Sequence, residues 1–219
     1  MRMSYAVIVL IGLAFALAWY FASARRKKLR AWAEASGFRF DPRSNRSFDD
    51  CYPSFGCLRR GHSRSASNVS EGTRHARPVV AFDYRYVTGH GKNRQVHSFS
   101  GVIVDSEIPL RPLYIRSENL FDKIGEFLGV DDIDFESAEF SRVFHVKSPD
   151  RRWAYDVLHQ RTMEFLLSMP RFSIEFGEGS MLAWRNRRFA PETFDDAIAV
   201  AEGILNRLPG YVVREGGER

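Results

Sequence analysis

Residues Tyr5 to Ala24 form an almost unbroken apolar run, and Arg25, Arg26, Lys27 and Lys28 follow it without a gap. At about 1.5 Å per helical residue such a run reaches roughly 30 Å, the thickness of a bilayer's hydrocarbon core. The pattern predicts a transmembrane anchor over residues 1–24. The rival reading is a secretory signal, and Ala22-Ser23-Ala24 has the small-residue character of a cleavage site. Signals, however, carry an apolar stretch of only about 7–15 residues with their charge in front of it. Here Arg2 alone precedes the run and the cations come after it.

The same cations set an orientation, because basic flanks of a span tend to stay cytoplasmic. The expected topology is single-pass in the cell membrane, with the N-terminus outside and the globular part in the cytoplasm. Trp19, Tyr20 and Phe21 then lie at the cytoplasmic interface, where amphipathic rings are favoured. Gly12 stands alone among larger residues, so no Gly-x-x-x-Gly face is present for helix pairing.

The chain carries a formal net charge of +5, which suggests nucleic acid until its distribution is read. Residues 25–64 hold eleven Arg and Lys against four acids, a net of +7, whereas residues 65–219 are net acidic at −3. Basic charge is concentrated beside the span. Cations near an anionic leaflet gain about 1 kcal/mol each and lose it beyond a Debye length. Arg25, Arg26, Lys27, Lys28 and Arg30 are therefore candidates for headgroup contact or for fixing topology, and nucleic acid is not an expected partner.

About 195 residues remain after the span, which suits one domain with a membrane-proximal arm. Leu29, Trp32 and Ala33 continue the helical spacing as far as Gly37, a helix stop. Residues 25–67 read as a basic helix followed by a Ser-, Arg- and Asn-rich arm, which Tyr52, Phe55 and Leu58 could pin to the domain. The globular domain is expected over 68–213, with a disordered tail at 214–219. Val80, Phe82, Tyr84 and Tyr86 share one face of an alternating strand, with Asp83 and Arg85 on the other. Gln95 to Asp105 supplies its hairpin partner.

Further strands are expected at Leu113–Arg116 and Arg142–Lys147, and a second hairpin joins Phe172–Phe176 to Met181–Asn186. Leu120, Ile124, Phe127 and Leu128 form a helical stripe, and a helix entered at Asp150 runs to Pro170 with a kink near His159. The clearest helix starts at Pro191 and aligns Phe194, Ala197, Ile198, Ala201, Ile204, Leu205 and Leu208. These elements predict an α+β domain with a mainly antiparallel sheet, packed helices and a C-terminal amphipathic helix.

Chemical motifs are incomplete throughout. Gly89-His90-Gly91-Lys92 resembles a phosphate loop, but Asn93 and a strand follow Lys92 instead of Ser or Thr and a helix. It reads better as a hairpin turn, with His90, Lys92, Arg94 and His97 as a speculative anion-binding group. Asp131 to Glu139 is acidic enough to suggest a cation site, yet it lacks the Gly and terminal Glu of an EF-hand. Cys51 and Cys57 have the wrong spacing for zinc and no second ligand pair. The six histidines include no His-Glu-x-x-His, and no Gly-x-Ser-x-Gly elbow is present. Arg151-Arg152-Trp153 opens a helix and reads as a capped start with solvated arginines. No catalytic residue, metal site or cofactor is indicated.

Phe140-Ser-Arg-Val-Phe-His-Val-Lys-Ser-Pro-Asp150, with Ala154 and Met163-Glu-Phe-Leu-Leu167, resembles a family of bacterial membrane-anchored proteins of unknown function. In that family a strand of pattern F-x-V-x-S-x-D precedes a helix ending in M-x-x-L-L. Leu29 to Phe40 is similar to a membrane-proximal element of the same proteins. The resemblance implies a bacterial source and carries over no catalytic residues. The sequence thus predicts a cytoplasmic interaction module for a protein or the membrane. The alternatives are a membrane-tethered enzyme, possibly a hydrolase, with an unfamiliar site, or an anionic-lipid-binding protein.

Overall fold

The computed structural model describes residues 5–106, 108–117 and 131–211. Helix α1 spans Tyr5–Ala35 without interruption and holds the one described helix long and apolar enough to cross a membrane. Eight strands follow: β1 (Arg39–Asp41), β2 (His62–Arg74), β3 (Arg77–Thr88), β4 (Gln95–Asp105), β5 (Leu113–Ser117), β6 (Phe144–Lys147), β7 (Ser173–Gly177) and β8 (Ser180–Arg185). The remaining helices are α2 (Ala138–Val143), α3 (Arg151–Val157), α4 (Gln160–Ser168) and α5 (Pro191–Leu205). The strands form one sheet in the order β1-β2-β3-β4-β8-β7-β5-β6, and every described pairing is antiparallel. The fold is α+β.

Strand alternation divides the core in two. Val79 and Ala81 of β3, Val102 and Val104 of β4, and Met181 and Ala183 of β8 face a helical layer. That layer includes Leu29 and Ala33 of α1, α3, and Phe194, Ala197, Ile198, Ala201, Ile204 and Leu205 of α5. Phe82, Tyr84, Tyr86, Phe99, Leu182 and Trp184 face the opposite way. They are covered by Phe48, Phe55, Cys57 and Leu58 from the segment between β1 and β2, which we term the strap. The α5 stripe is buried as its spacing predicts, and Pro191 at the first turn removes one N–H that the Ala190 side chain leaves uncapped.

The arm is more ordered than its composition suggests. The strap packs on the face formed by β2, β3, β4 and β8 with Tyr114 of β5, and the sheet begins at Arg39, ahead of the boundary expected near Asn68. Small polar residues suit β2 because it is bent by two irregularities, between His62 and Ser65 and between Ser67 and Ser70. Ser63 and Asn68 both take φ 52°, so alternation breaks where a sequence pattern would look for it. Gly72 lets β2 pass close to the helix layer, since a Cβ there would lie 2.2 Å from the Phe38 ring.

The helix expected from Asp150 to Pro170 is two helices. Asp150 caps α3 by accepting from the Trp153 backbone N–H, and α3 stops at Leu158. His159 precedes α4 and interacts with the Arg207 carbonyl at 2.9 Å, which places the break at the residue expected to kink. The stripe from Leu120 to Leu128 and the tail from 214 lie outside the described residues.

Candidate functional site

The polar feature with the widest reach lies where α1 changes character. Arg25, the residue after the apolar run, donates from Nε and Nη2 to the two carboxylate oxygens of Asp83 at 2.9 and 2.7 Å. Its Nη1 donates to the Phe189 carbonyl at 2.8 Å, just ahead of α5. Asp83 also accepts from Asn68 Nδ2 at 2.9 Å and from the Ser100 hydroxyl, and its side chain is 3% exposed. Ser100 in turn accepts from the Phe189 N–H at 3.0 Å. A bidentate arginine plus two further donors satisfies a buried carboxylate. This clamp joins α1, β2, β3, β4 and the approach to α5.

Two turns further on, Trp32 stacks on Phe194 at 5.0 Å and donates from Nε1 to Asp195 at 3.0 Å. Arg74 donates to the other oxygen of Asp195 at 2.6 Å. α1 is therefore fixed to the domain by two polar contacts with the buried Leu29 and Ala33 between and beside them.

The sequence-predicted cations divide accordingly. Arg25 departs from the headgroup role, because its guanidinium is committed to the interior. Arg26, Lys27 and Lys28 are exposed, and exposed Arg30 lies 5.6 Å over the Phe40 ring. The speculative anion group is dispersed along its hairpin. His97 interacts with Thr88 Oγ1 at 2.7 Å and stacks on Tyr86, while His90 stacks on His62 at 4.7 Å. Lys92 sits in a short 3₁₀ turn at the tip, and Arg94 is exposed beside it. Gly89 has φ +67°, and a Cβ there would meet the Asn93 carbonyl oxygen at 2.3 Å, so the geometry of the tip depends on glycine.

Sequence reasoning missed Asp83, Asn68 and Ser100. The available signal was a lone carboxylate between Phe82 and Tyr84, since an acid centred in a buried strand requires a partner. It also missed a second polar cluster under the strap. There buried Glu175 accepts from Trp184 Nε1 at 3.2 Å and from the Cys57 backbone N–H at 3.3 Å. Arg60 lies 5.1 Å over the Trp184 ring, and burial, reinforced by the Glu175 charge, pushes the Tyr114 phenol well above its ordinary range. These contacts tie the strap to the sheet.

An open cleft of about 610 Å³ lies beside β1, lined by Arg39, Asp41, Arg43, Arg46, Phe48 and Glu71 among others. Its charges pair internally, Arg39 with Glu71 and Arg43 with Asp41. The Arg43 guanidinium holds the Asp41 carboxyl down to about 2. Among the described residues no group of three or more His, Cys, Asp or Glu could hold a metal ion.

No family model and no curated protein matches the chain. A solved structure is similar: that of the mycobacterial trehalose monomycolate transport factor A, TtfA, with a TM-score of 0.63 at 13% identity. The match covers 84% of this chain and 96% of that one, so the likeness is one of overall fold.

Proposed function

We propose that this protein is a single-pass membrane protein whose α+β domain is a cytoplasmic interaction module, held at the bilayer surface to engage a protein partner. One observation carries the reading: α1 passes unbroken from an exposed apolar segment into the domain core, and the clamp begins at the first cation. Cleavage after Ala24 would leave Arg25 as a frayed N-terminus, whereas a continuous helix presents it to Asp83 in fixed geometry. The cytoplasmic side follows from the cations behind the span. TtfA is named as a transport factor, and a shared fold agrees with an accessory role without specifying a cargo.

Two measurements test the proposal. A membrane-impermeant thiol reagent should label exposed Cys51 only after cell lysis, while buried Cys57 stays unreactive in the folded chain. Labelling of Cys51 in intact cells would overturn the orientation. Cross-linking of the full-length protein in its own membrane should capture one dominant partner, lost on substitution of exposed domain residues. Recovery of the protein alone would remove the interaction role.

A further inference from the structure

The domain offers a partner little apolar surface and one open edge. Among the described residues beyond α1, the exposed large apolar side chains are Val96, Tyr155 and Tyr211, and the two tyrosine hydroxyls are bonded to the Asp134 carbonyl and the Asp156 carboxylate. At one end of the sheet β6 is covered, because the Ile133 N–H donates to the Val146 carbonyl at 2.8 Å. At the other end β1 closes the order, with no described strand on its outer side. A charged edge of three residues resists indiscriminate pairing, so whatever adds to it must answer its charges.

Those charges are cationic on balance. Arg39, Arg43 and Arg46 line the cleft beside β1 against two acids, Asp41 and Glu71, and nearly buried Val69 and Phe48 complete the lining. Glu71 holds Arg39 through Nη2, and Asp41 holds Arg43 through Nε and Nη2, which positions both arginines and leaves Nε and Nη1 of Arg39 and Nη1 of Arg43 as unused donors. Arg46 is exposed and makes no hydrogen bond or ion pair among the described residues. We infer that this cleft docks an acidic, extended segment of the protein partner, which adds a strand to the free edge of β1 and sets its carboxylates on Arg39, Arg43 and Arg46. The inference rests on the interaction-module reading. Acids at alternate positions of such a segment share one face, as Arg39 and Asp41 do on β1. A second copy of this chain is a poor occupant. β1 and β3 are both antiparallel to β2, and β3 runs from Arg77, bonded to Asn206 after α5, towards Asp83 at the clamp. β1 therefore points back to the apolar segment, and pairing it antiparallel with another β1 would turn the second α1 away from a shared bilayer.

The test uses the full-length chain in phosphatidylcholine nanodiscs, titrated with a short fluorescent peptide alternating glutamate and valine and with its glutamine–valine analogue. The acidic peptide should bind, weaken with added salt, and slow hydrogen–deuterium exchange over 39–46 by about tenfold, and the analogue should do none of these. Arg46→Glu, with no described contact to lose, should keep the wild-type melting temperature and bind the acidic peptide about tenfold more weakly. Equal binding of both peptides, or binding without protection over 39–46, would overturn the site. Protection of 39–46 by phosphatidylglycerol discs without peptide would assign the cleft to lipid headgroups and overturn the peptide as its occupant. No binding of the acidic peptide, with one dominant partner still captured by cross-linking in the native membrane, would overturn the cleft and leave the interaction module standing. Absence of that partner as well would remove both.

Discussion

Asp83 is a charge that the fold has to answer. Buried at the meeting of β3, β4, α1 and the approach to α5, it is matched by Arg25, Asn68 and Ser100. Removing one member of a buried pair costs about 3–5 kcal/mol, because the other is left uncompensated. Arg25→Ala should therefore lower the denaturation midpoint substantially, and Asp83→Asn in the same chain should recover part of the loss. Additive effects in a double-mutant cycle would sink that account.

Asp150 offers a milder electrostatic test. The Trp153 backbone N–H and then the Arg111 guanidinium hold its carboxyl below the ordinary 3.8. Its folded-state value is depressed, so its stabilisation is complete above 3.8 and is lost as pH falls through the lowered value. Asn caps a helix about as well as Asp, so Asp150→Asn removes mainly the charge. The gap in melting temperature between wild type and variant should be constant near neutrality and close below about pH 3.8. A gap that persists at low pH would assign the effect to capping alone.

At the level of elements, the strap and α1 do for the sheet what two separate layers do in larger folds. Phe55 is fully buried among the strap-side aromatic rings, and Phe55→Ala should cost about 3–5 kcal/mol, measurable by urea denaturation. A loss below about 1 kcal/mol would show the strap to be a loose cover. How far such elements could be read from residues depends on where regularity survives. α5 and the β3–β4 hairpin were legible because helical or alternating spacing persists over their whole length. β2 was not legible as a strand, because positive φ at Ser63 and Asn68 breaks its alternation and its side chains are small. The anion group was proposed from proximity in sequence, but along a strand His97 turns to Tyr86 and Thr88 while Lys92 stays at the tip. The clamp was hidden because Arg25 and Asp83 are 58 residues apart.

For the whole molecule, the end of α1 belongs to the domain as much as to the apolar segment. A chain beginning at Ala22 keeps helix ahead of the clamp, with Leu29 and Ala33, and should fold and remain monodisperse in gel filtration. A chain beginning at Gly37 uncovers Asp83 and the α1-facing apolar surface and should aggregate or melt at much lower temperature. Equal behaviour of the two truncations would remove α1 from the core. The general architecture was legible in the sequence, since strand and helix spacing together predict an α+β domain. The two-sided covering of the sheet was not, because the strap has no periodicity of its own.

An uninterrupted helix rooted at both Arg25 and Trp32 cannot swivel beneath its cargo. Hydrophobic segments answer a thinner or thicker bilayer by changing their tilt. With α1 in a bilayer, every degree of that tilt passes to the domain as a rotation of the entire body, as a mast carries a hull's roll to whatever is lashed to it. Local lipid thickness would then set the angle at which the domain is presented beside the bilayer. A flexible Gly-Ser insertion after Lys28 would break that mechanical coupling.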